Sequence, residues 1–330
     1  MSTSPQLIMK STRLAVVQLG RIGADKQHNL AHARNEVLRA TREGPLRGAD
    51  MVILPECFNS PYGVDHFEHY AESLSGLYDA LKTRGGTAVA EGGARAWPID
   101  NKDEEHPVTL TPNVLERSES LRMLSDVAKE AGIVLVGGSI PERDDKTGCL
   151  FNTSVVFDKQ GRAIGIHRKL HLFNIDIPGK MTFQESKTLA AGDAITLFDC
   201  EYGRFGLGIC YDMRFPEPAL ISARLGACAM LYPAAFNTTT GPVAWELLLR
   251  SRALDNQLYT VGCSPARPTE GYPAWGHSTV VNPLGTVIET CDEKETIIWA
   301  ELDPACAQDV RKTVPVSSQR RFDVYGDIAK

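Results

Sequence analysis

Short apolar runs rich in β-branched residues recur along the chain, and they constrain its fold more than any other feature. Residues 14–19 and 50–54 are the first two runs, and each has the length and composition of a buried strand. Between them, a segment that begins at Asp25 places Leu30, Ala33 and Val37 on one helical face. This strand–helix–strand order predicts an α/β fold.

The same alternation continues to the end of the chain. A helix is predicted from about residue 118 until Gly132 stops it, a strand at 133–136, and a hairpin from 153–157 and 163–167. Further strands are predicted at 205–209, 229–232, 258–263, 278–281, 286–290 and 297–302, and helices at 217–225 and 242–255. This mixture predicts two sheets covered by helices.

We expect a single domain over residues 12–325, with a surface insertion at about 75–115. That segment contains the glycine pairs 85–86 and 92–93, the acidic run 103–105 and little periodicity. Such a composition favours irregular structure over a packed element.

Composition excludes some classes of binding partner and indicates the cellular compartment. The formal charge of −6 argues against a nucleic-acid-binding protein, which needs a basic face. No run is long and apolar enough for a signal peptide or a membrane span, so we expect no membrane partner. The eight cysteines are scattered and form no Cys-x-x-Cys pair, which is typical of reduced intracellular thiols. We therefore expect a cytoplasmic protein, and a mitochondrial pool is also compatible with the sequence.

Three reactive side chains each follow a predicted strand. They are Glu56, Lys169 and Cys210. Taken singly, each has a more ordinary explanation: a capping carboxylate, a surface charge and a small buried side chain. Strand ends are where α/β folds place active sites, and the thiol resembles a nucleophile elbow in its strand–turn–helix setting. Together they suit a mechanism in which a carboxylate takes the thiol proton and a lysine stabilises a carbonyl oxyanion.

Neither a cofactor nor a metal ion is expected. His167 and His171 flank Lys169, but no neighbouring carboxylate or cysteine completes a ligand set. The glycines in residues 203–208 lack the order of a dinucleotide-binding loop and the helix that follows one.

Five segments carry a close resemblance to the nitrilase superfamily of carbon–nitrogen hydrolases, and within it to the omega-amidase (Nit2-like) branch. They are LPECFNSPYG at 54–63, RKLHLF at 168–173, FQES at 183–186, GICYDMRF at 208–215 and AFNTTTGP at 235–242. The resemblance extends from about residue 13 to 325 and departs from the family at about 75–115. It implies a four-layer α-β-β-α sandwich that dimerises through a helix face.

The resemblance also implies specific roles. Glu56 is the general base, Cys210 the nucleophile that forms a thioester, and Lys169 stabilises the oxyanion together with the Tyr211 backbone N–H. Glu185 matches a second family glutamate that holds the lysine and orients the substrate. Because Glu56 and Glu185 both compete for the lysine, the sequence leaves open which of them titrates.

The implied substrates are small dicarboxylate monoamides, namely 2-oxoglutaramate and 2-oxosuccinamate. Such a substrate needs a cation for its distal carboxylate, for which Arg214 is the candidate, and Tyr62 is a candidate hydroxyl donor. For Arg214, an ion pair with Asp212 or Glu217 is an equally good reading. Two alternatives to an omega-amidase remain: an amidase acting on deaminated glutathione or a carbamoyl group, and a non-catalytic scaffold on the same fold.

Overall fold

Two β-sheets lie face to face at the centre of the molecule, with helices on their outer faces. The computed structural model describes residues 9–46, 48–74, 76–84, 88–89, 95–97, 107–179 and 181–328. The strands are β1 Thr12–Gln18, β2 Met51–Ile53, β3 Glu72–Ser73, β4 Ala88–Val89, β5 Arg95–Trp97, β6 Val134–Val136, β7 Ile140–Arg143, β8 Leu150–Phe157, β9 Ala163–Arg168, β10 Asn174–Ile177, β11 Met181–Gln184, β12 Ile195–Cys200, β13 Gly203–Leu207, β14 Ala229–Pro233, β15 Tyr259–Cys263, β16 Thr279–Val281, β17 Val287–Thr290 and β18 Thr296–Leu302. The helices are α1 Lys26–Arg42, α2 Val64–Tyr70, α3 Leu77–Arg84, α4 Pro112–Arg117, α5 Glu119–Ala131, α6 Pro216–Arg224, α7 Gly241–Asn256, α8 Pro304–Thr313, α9 Val316–Gln319 and α10 Phe322–Tyr325.

The first sheet has the strand order β18-β1-β2-β6-β8-β7-β3, and β9 also pairs with β8. The second sheet has the order β17-β16-β15-β14-β13-β12-β5-β4, while β10 and β11 form a separate hairpin. The central strands are parallel in both sheets: β1 with β2 and β6 in the first, and β13 with β14 and β15 in the second. Their carboxyl ends carry the candidate site.

Four layers account for the continuous apolar runs of the sequence. Side chains from both sheets fill the space between them, among them Leu14, Val16, Met51, Leu231 and Val261. Helices α1 and α5 pack on the outer face of the first sheet, and α6 and α7 on that of the second. Strands covered on both faces need apolar residues at every position, which is why they appear as runs and not as alternating patterns. The predicted α-β-β-α sandwich is confirmed.

Local capping signals set the helix boundaries. The side chain of Asp25 accepts the His28 backbone N–H at 3.0 Å and starts α1. Ser118 caps α5 in the same way, and Gly132 ends that helix with a left-handed φ of +65°. These are the residues that the sequence marked as helix ends.

The segment predicted as an insertion contains ordered elements among its described residues. Leu77 and Leu81 of α3 are buried, as are Leu110 and Val114 near α4, and β4 and β5 extend the second sheet beyond β12. Residues 85–87, 90–94 and 98–106 lie outside the described residues, so the insertion itself stays a prediction. No helix in the described part of the chain has the length and hydropathy to cross a bilayer.

Candidate active site

Glu56 lies just beyond the carboxyl end of β2, and its carboxylate is buried. Its Oε1 accepts hydrogen bonds from the Lys169 ammonium at 2.9 Å and from the Asn152 amide at 2.8 Å. Its Oε2 is buried and has no hydrogen-bond partner among the described residues. Burial raises the pKa of Glu56 above its usual range, although the charge of Lys169 opposes that rise. Glu56 therefore offers one unoccupied oxygen and a heightened affinity for a proton.

Lys169 follows the last residue of β9, and its side chain is fully buried. Its Nζ contacts Glu56 Oε1 at 2.9 Å and Glu185 Oε1 at 2.8 Å. Burial lowers the pKa of this lysine, but the charges of Glu185 and Glu56 outweigh burial and raise the pKa well above its usual value. The ammonium therefore stays charged. Two of its three protons are directed at carboxylates, which leaves the third for a ligand.

Glu185 lies in a 3₁₀ helix, Glu185–Lys187, directly after the β10–β11 hairpin. Its Oε2 accepts the Phe173 backbone N–H at 2.7 Å. Its Oε1 accepts the Tyr62 hydroxyl at 2.8 Å in addition to the Lys169 ammonium. With both oxygens occupied by protein donors, Glu185 holds the lysine in place.

Cys210 stands at a sharp turn between β13 and the 3₁₀ helix Cys210–Arg214. Its φ of +47° is left-handed, a conformation that a non-glycine residue adopts only when its surroundings enforce it. Gly208 makes the turn possible, because a Cβ there would lie 2.8 Å from the Tyr232 ring. The strand–turn–helix context is that of a nucleophile elbow.

The resting form of this thiol is protonated. Burial raises the pKa of Cys210 well above its usual value, and the neighbouring charge of Glu56 raises it further. The interaction is mutual, since the thiol lowers the pKa of Glu56. Cys210 therefore needs a base to become a nucleophile, and the buried Glu56 carboxylate beside it can serve as that base.

The residues predicted to bind substrate lie around the same centre. The Tyr62 hydroxyl donates to Glu185 Oε1 at 2.8 Å, and Tyr62 lines the cavity that also borders Glu56. The Tyr211 ring lies 5.2 Å from that of Phe173. The Arg214 guanidinium lies over the rings of Tyr211 and Phe236, at 5.6 and 5.0 Å from their centroids.

The alternative reading of Arg214 as an ion-pair partner is not what the structure shows. Both oxygens of Asp212 accept other donors, and Glu217 forms no ion pair within the described part of the chain. Within the described residues, the Arg214 guanidinium is therefore paired with neither of these two carboxylates. It remains a candidate for binding a carboxylate.

A cavity of about 110 Å³ adjoins the carboxylate of Glu56. It is lined mainly by apolar and aromatic side chains, including Leu19, Tyr62, Tyr272 and Ala274. The Tyr272 hydroxyl donates to the Ala235 carbonyl at 2.6 Å, and its ring lies 4.4 Å from that of Tyr62. The space suits a small molecule.

Sequence reasoning missed several residues of this site. Asn152 binds Glu56 through its amide and accepts the Lys169 backbone N–H at 2.9 Å, so it sets the positions of both. The only indication of Asn152 in the sequence is that it is a polar residue within the largely apolar run that forms β8. Asp212 was noted only as a possible partner of Arg214, although it binds both His167 and His171.

Those two histidines both contact the carboxylate of Asp212. Elsewhere among the described residues, His32, Glu36 and Glu295 each place one ligand atom within 4.8 Å of the others. Within this group His32 contacts Glu295 at 3.1 Å, and Glu36 lies 2.6 Å from the Arg39 guanidinium. The expectation of no metal and no cofactor stays a prediction.

Comparison with known proteins identifies the class. The carbon–nitrogen hydrolase family model matches residues 13–312. This match covers most of the chain, so the protein belongs to the carbon–nitrogen hydrolase family. It is a hydrolase acting on carbon–nitrogen bonds other than peptide bonds, as the strand-end residues and the motifs predicted.

The relatives also bear on the branch. Omega-amidase NIT3 from Saccharomyces cerevisiae is 45% identical over 99% of this chain and 99% of its own length. Omega-amidase NIT2 from Homo sapiens is 45% identical over 96% of this chain and 98% of its own. The crystal structure of S. cerevisiae Nit3, a member of branch 10 of the nitrilase superfamily, superposes with a TM-score of 0.77 at 42% identity, covering 97% of this chain and 100% of that one. The resemblance to the omega-amidase branch is confirmed.

Proposed function

We propose that this protein is an omega-amidase, which hydrolyses the terminal amide of small dicarboxylate monoamides such as 2-oxoglutaramate and 2-oxosuccinamate to the dicarboxylate and ammonia. One observation carries the proposal: the buried Cys210 thiol neighbours the buried carboxylate of Glu56, whose Oε2 has no hydrogen-bond partner among the described residues, and the Lys169 ammonium lies between two glutamates. The omega-amidases that share 45% of their residues with this chain over nearly its whole length support the substrate class.

Acylation begins with transfer of the Cys210 proton to Glu56 Oε2. The sulfur bonds to the amide carbon, and the carbonyl electron pair moves onto oxygen. The third proton of the Lys169 ammonium and the Tyr211 backbone N–H stabilise that oxyanion. When the intermediate collapses, the carbon–nitrogen bond breaks, Glu56 returns its proton to the nitrogen, and ammonia leaves a thioester on Cys210.

Deacylation repeats these steps with water in place of the thiol. Glu56 takes a proton from water, the oxygen bonds to the thioester carbon, and the same two donors hold the oxyanion. Collapse breaks the carbon–sulfur bond, and Glu56 gives the proton back to the sulfur. Glu185 keeps the lysine in place in both halves, because its two oxygens are already occupied by protein donors.

Arg214 is the proposed site for the distal carboxylate. Arg214 lies four residues beyond the nucleophile Cys210, and its guanidinium packs on two aromatic rings. It forms no ion pair with a carboxylate among the described residues. Replacing Arg214 with Leu should raise KM for 2-oxoglutaramate by about ten- to hundredfold, because a charge-assisted hydrogen bond contributes about 1.5–3 kcal/mol. Steady-state ammonia release measures this effect, and an unchanged KM would remove Arg214 from the site.

The substrate itself is tested by a panel. Purified protein should release ammonia from 2-oxoglutaramate and 2-oxosuccinamate at a higher kcat/KM than from a tripeptide-like deaminated amide or from a carbamoyl compound. Preference for either of the latter would move the protein to another branch of the family. Absence of turnover with every amide, in protein that is folded, would favour the scaffold alternative.

We also propose a homodimer formed through α7. Val243, Leu247 and Leu254 of this helix are 76%, 65% and 56% exposed, and the spacing of the first two places them one turn apart. Leu284 adds to the same apolar surface and lines a groove together with Leu254. Exposed apolar area of this kind marks an association surface. Sedimentation equilibrium should give twice the chain mass of 36.1 kDa.

For the compartment, we propose the cytoplasm. All eight cysteines are free thiols, which supports a reducing environment.

A further inference from the structure

Asp212 joins the two segments that carry the reacting groups. It lies two residues beyond Cys210 in the 3₁₀ helix, and its side chain is buried. Its carboxylate is directed away from solvent, and among the described residues its partners come from the end of β9, the loop after β9 and the turn before Cys210.

The two oxygens divide these partners. Oδ2 accepts the Ile209 backbone N–H at 2.9 Å and contacts His167 Nε2 at 3.0 Å, with the Leu170 N–H at 3.5 Å. Oδ1 accepts the His171 backbone N–H at 2.8 Å and contacts His171 Nδ1 at 2.8 Å. Because a carboxylate only accepts, both ring nitrogens that face it carry their protons.

These partners bracket the catalytic residues in the chain. Ile209 immediately precedes Cys210, and His167, Leu170 and His171 lie on both sides of Lys169. A single carboxylate therefore fixes the backbone that leads into the left-handed thiol turn and the backbone from which the lysine extends.

Resting on the proposed amidase function, we infer that Asp212 is a positioning residue that holds the Cys210 thiol and the Lys169 ammonium in register across the two sheets. It acts through the backbone and touches neither substrate nor the reacting atoms. Oxyanion stabilisation depends on the separation of the sulfur and the ammonium, so loss of this clamp lowers kcat more than it raises KM.

An amide cannot replace this carboxylate. Each oxygen of Asp212 accepts at least one backbone N–H, from Ile209 on one side and from His171 on the other. In Asp212→Asn the side-chain NH₂ must face one of these N–H groups in either orientation, so one of the two segments loses its anchor.

The test compares Asp212→Asn with Asp50→Asn, a matched change at the amino end of β2. Asp50 also accepts a backbone N–H, that of Arg13 at 3.0 Å, and pairs with the Arg13 side chain. We expect Asp212→Asn to lower kcat for 2-oxoglutaramate by about ten- to hundredfold, with KM changed by less than about threefold. Asp50→Asn should keep both constants within about twofold of the unaltered protein, because Asp50 lies at the end of β2 opposite to Glu56.

A second variant guards against loss of folding. His171→Phe keeps the backbone N–H that binds Asp212 and an aromatic ring at the position that stacks on Phe215 at 3.7 Å, and it removes the Nδ1 donor to Asp212. Its side chain is 31% exposed, so the substitution is tolerable. We expect a fall in kcat of about threefold to tenfold, smaller than for Asp212→Asn.

A measurement that does not depend on amide turnover separates the positioning role of Asp212 from the proposed amidase function. The rate of Cys210 alkylation by iodoacetamide should fall severalfold in Asp212→Asn and stay unchanged in Asp50→Asn, since displacement of the turn takes the thiol from Glu56. Folded Asp212→Asn with the kcat and alkylation rate of Asp50→Asn would overturn the inference. If the unaltered protein turned over no monoamide, the proposed function would fail, while the alkylation comparison would still decide the role of Asp212.

Discussion

Glu56 and Asp212 are both buried carboxylates next to histidine- or lysine-bearing segments, yet their surroundings differ in one respect. Both oxygens of Asp212 accept backbone and side-chain donors, whereas Glu56 has one oxygen bonded and one free within the described structure. Burial by itself would raise the pKa of both carboxylates. For Asp212 the hydrogen bonds from His167 and His171 outweigh burial, so its pKa is lowered. For Glu56 burial outweighs the charge of Lys169, so its pKa is raised.

The comparison shows how one site assigns different tasks to the same chemical group. A carboxylate with every lone pair occupied is fixed as an anion and serves as an anchor. A carboxylate with a vacant oxygen and a raised pKa can take and return a proton. The predictions below separate the anchor from the base.

The largest effect should come from removing the base. Glu56→Gln keeps the size of the side chain and an oxygen for Lys169, but it cannot accept the thiol proton. We expect kcat/KM for 2-oxoglutaramate to fall by about a thousandfold, within the usual range for loss of a general base. The measurement is ammonia release, with Glu130→Gln at the exposed end of α5 as the matched control. A loss of less than tenfold would assign the proton transfer to another group.

Stability should respond to the two carboxylates in opposite directions. Because the folded state raises the pKa of Glu56, its ionisation at neutral pH opposes folding, and the neutral Gln relieves that cost. The pKa of Asp212 is lowered in the folded state, so its ionisation favours folding at every pH above about 3.9, the pKa of an aspartate in the unfolded chain. Asp212→Asn should cost about 1–3 kcal/mol of unfolding free energy, and Glu56→Gln should cost nothing or stabilise.

Urea unfolding at pH 7 of both variants beside the unaltered protein measures this order. If Glu56→Gln were the more destabilised of the two, the distinction between anchor and base would be wrong.

A smaller effect is expected in the pH profile. Glu56 must be ionised to take the thiol proton, and its pKa is raised, so the acid limb of kcat/KM should lie above the ordinary glutamate value of about 4.3. Asp212, with its lowered pKa, stays ionised throughout that range and contributes nothing to the limb. Initial rates from pH 4 to pH 8 give the profile. On its acid limb kcat/KM should rise about tenfold per pH unit. An acid limb at or below pH ~4.3 would mean that Glu56 titrates as an exposed carboxylate does.

Much of this architecture was predictable because its strands are buried on both faces. Runs such as β1 and β14 carry apolar residues throughout, and the sequence shows them directly. The β10–β11 hairpin escaped prediction, since its residues alternate between exposed and half-buried positions and form no apolar run. That hairpin is what delivers Glu185, whose role came only from family resemblance.

The residues of the site likewise fall into those that the sequence marks and those that it does not. The sequence marks Glu56, Lys169 and Cys210 because each follows a strand, and motif resemblance links them. It does not show that Asp212 binds residues 41 to 45 positions away, because that convergence depends on how the two sheets stack. Long-range hydrogen bonds of a buried polar group leave no local pattern in the sequence.

The most direct test of the account is to find the thioester. During turnover of 2-oxoglutaramate, protein quenched in acid and digested should carry the acyl group on the peptide that contains Cys210, and hydroxylamine should remove it. Cys57 adjoins Glu56, is buried and lines the cavity that borders Glu56, so its peptide is an internal control that should stay unmodified. Acylation of Cys57 in place of Cys210, or ammonia release by Cys210→Ala at the rate of the unaltered protein, would contradict the mechanism.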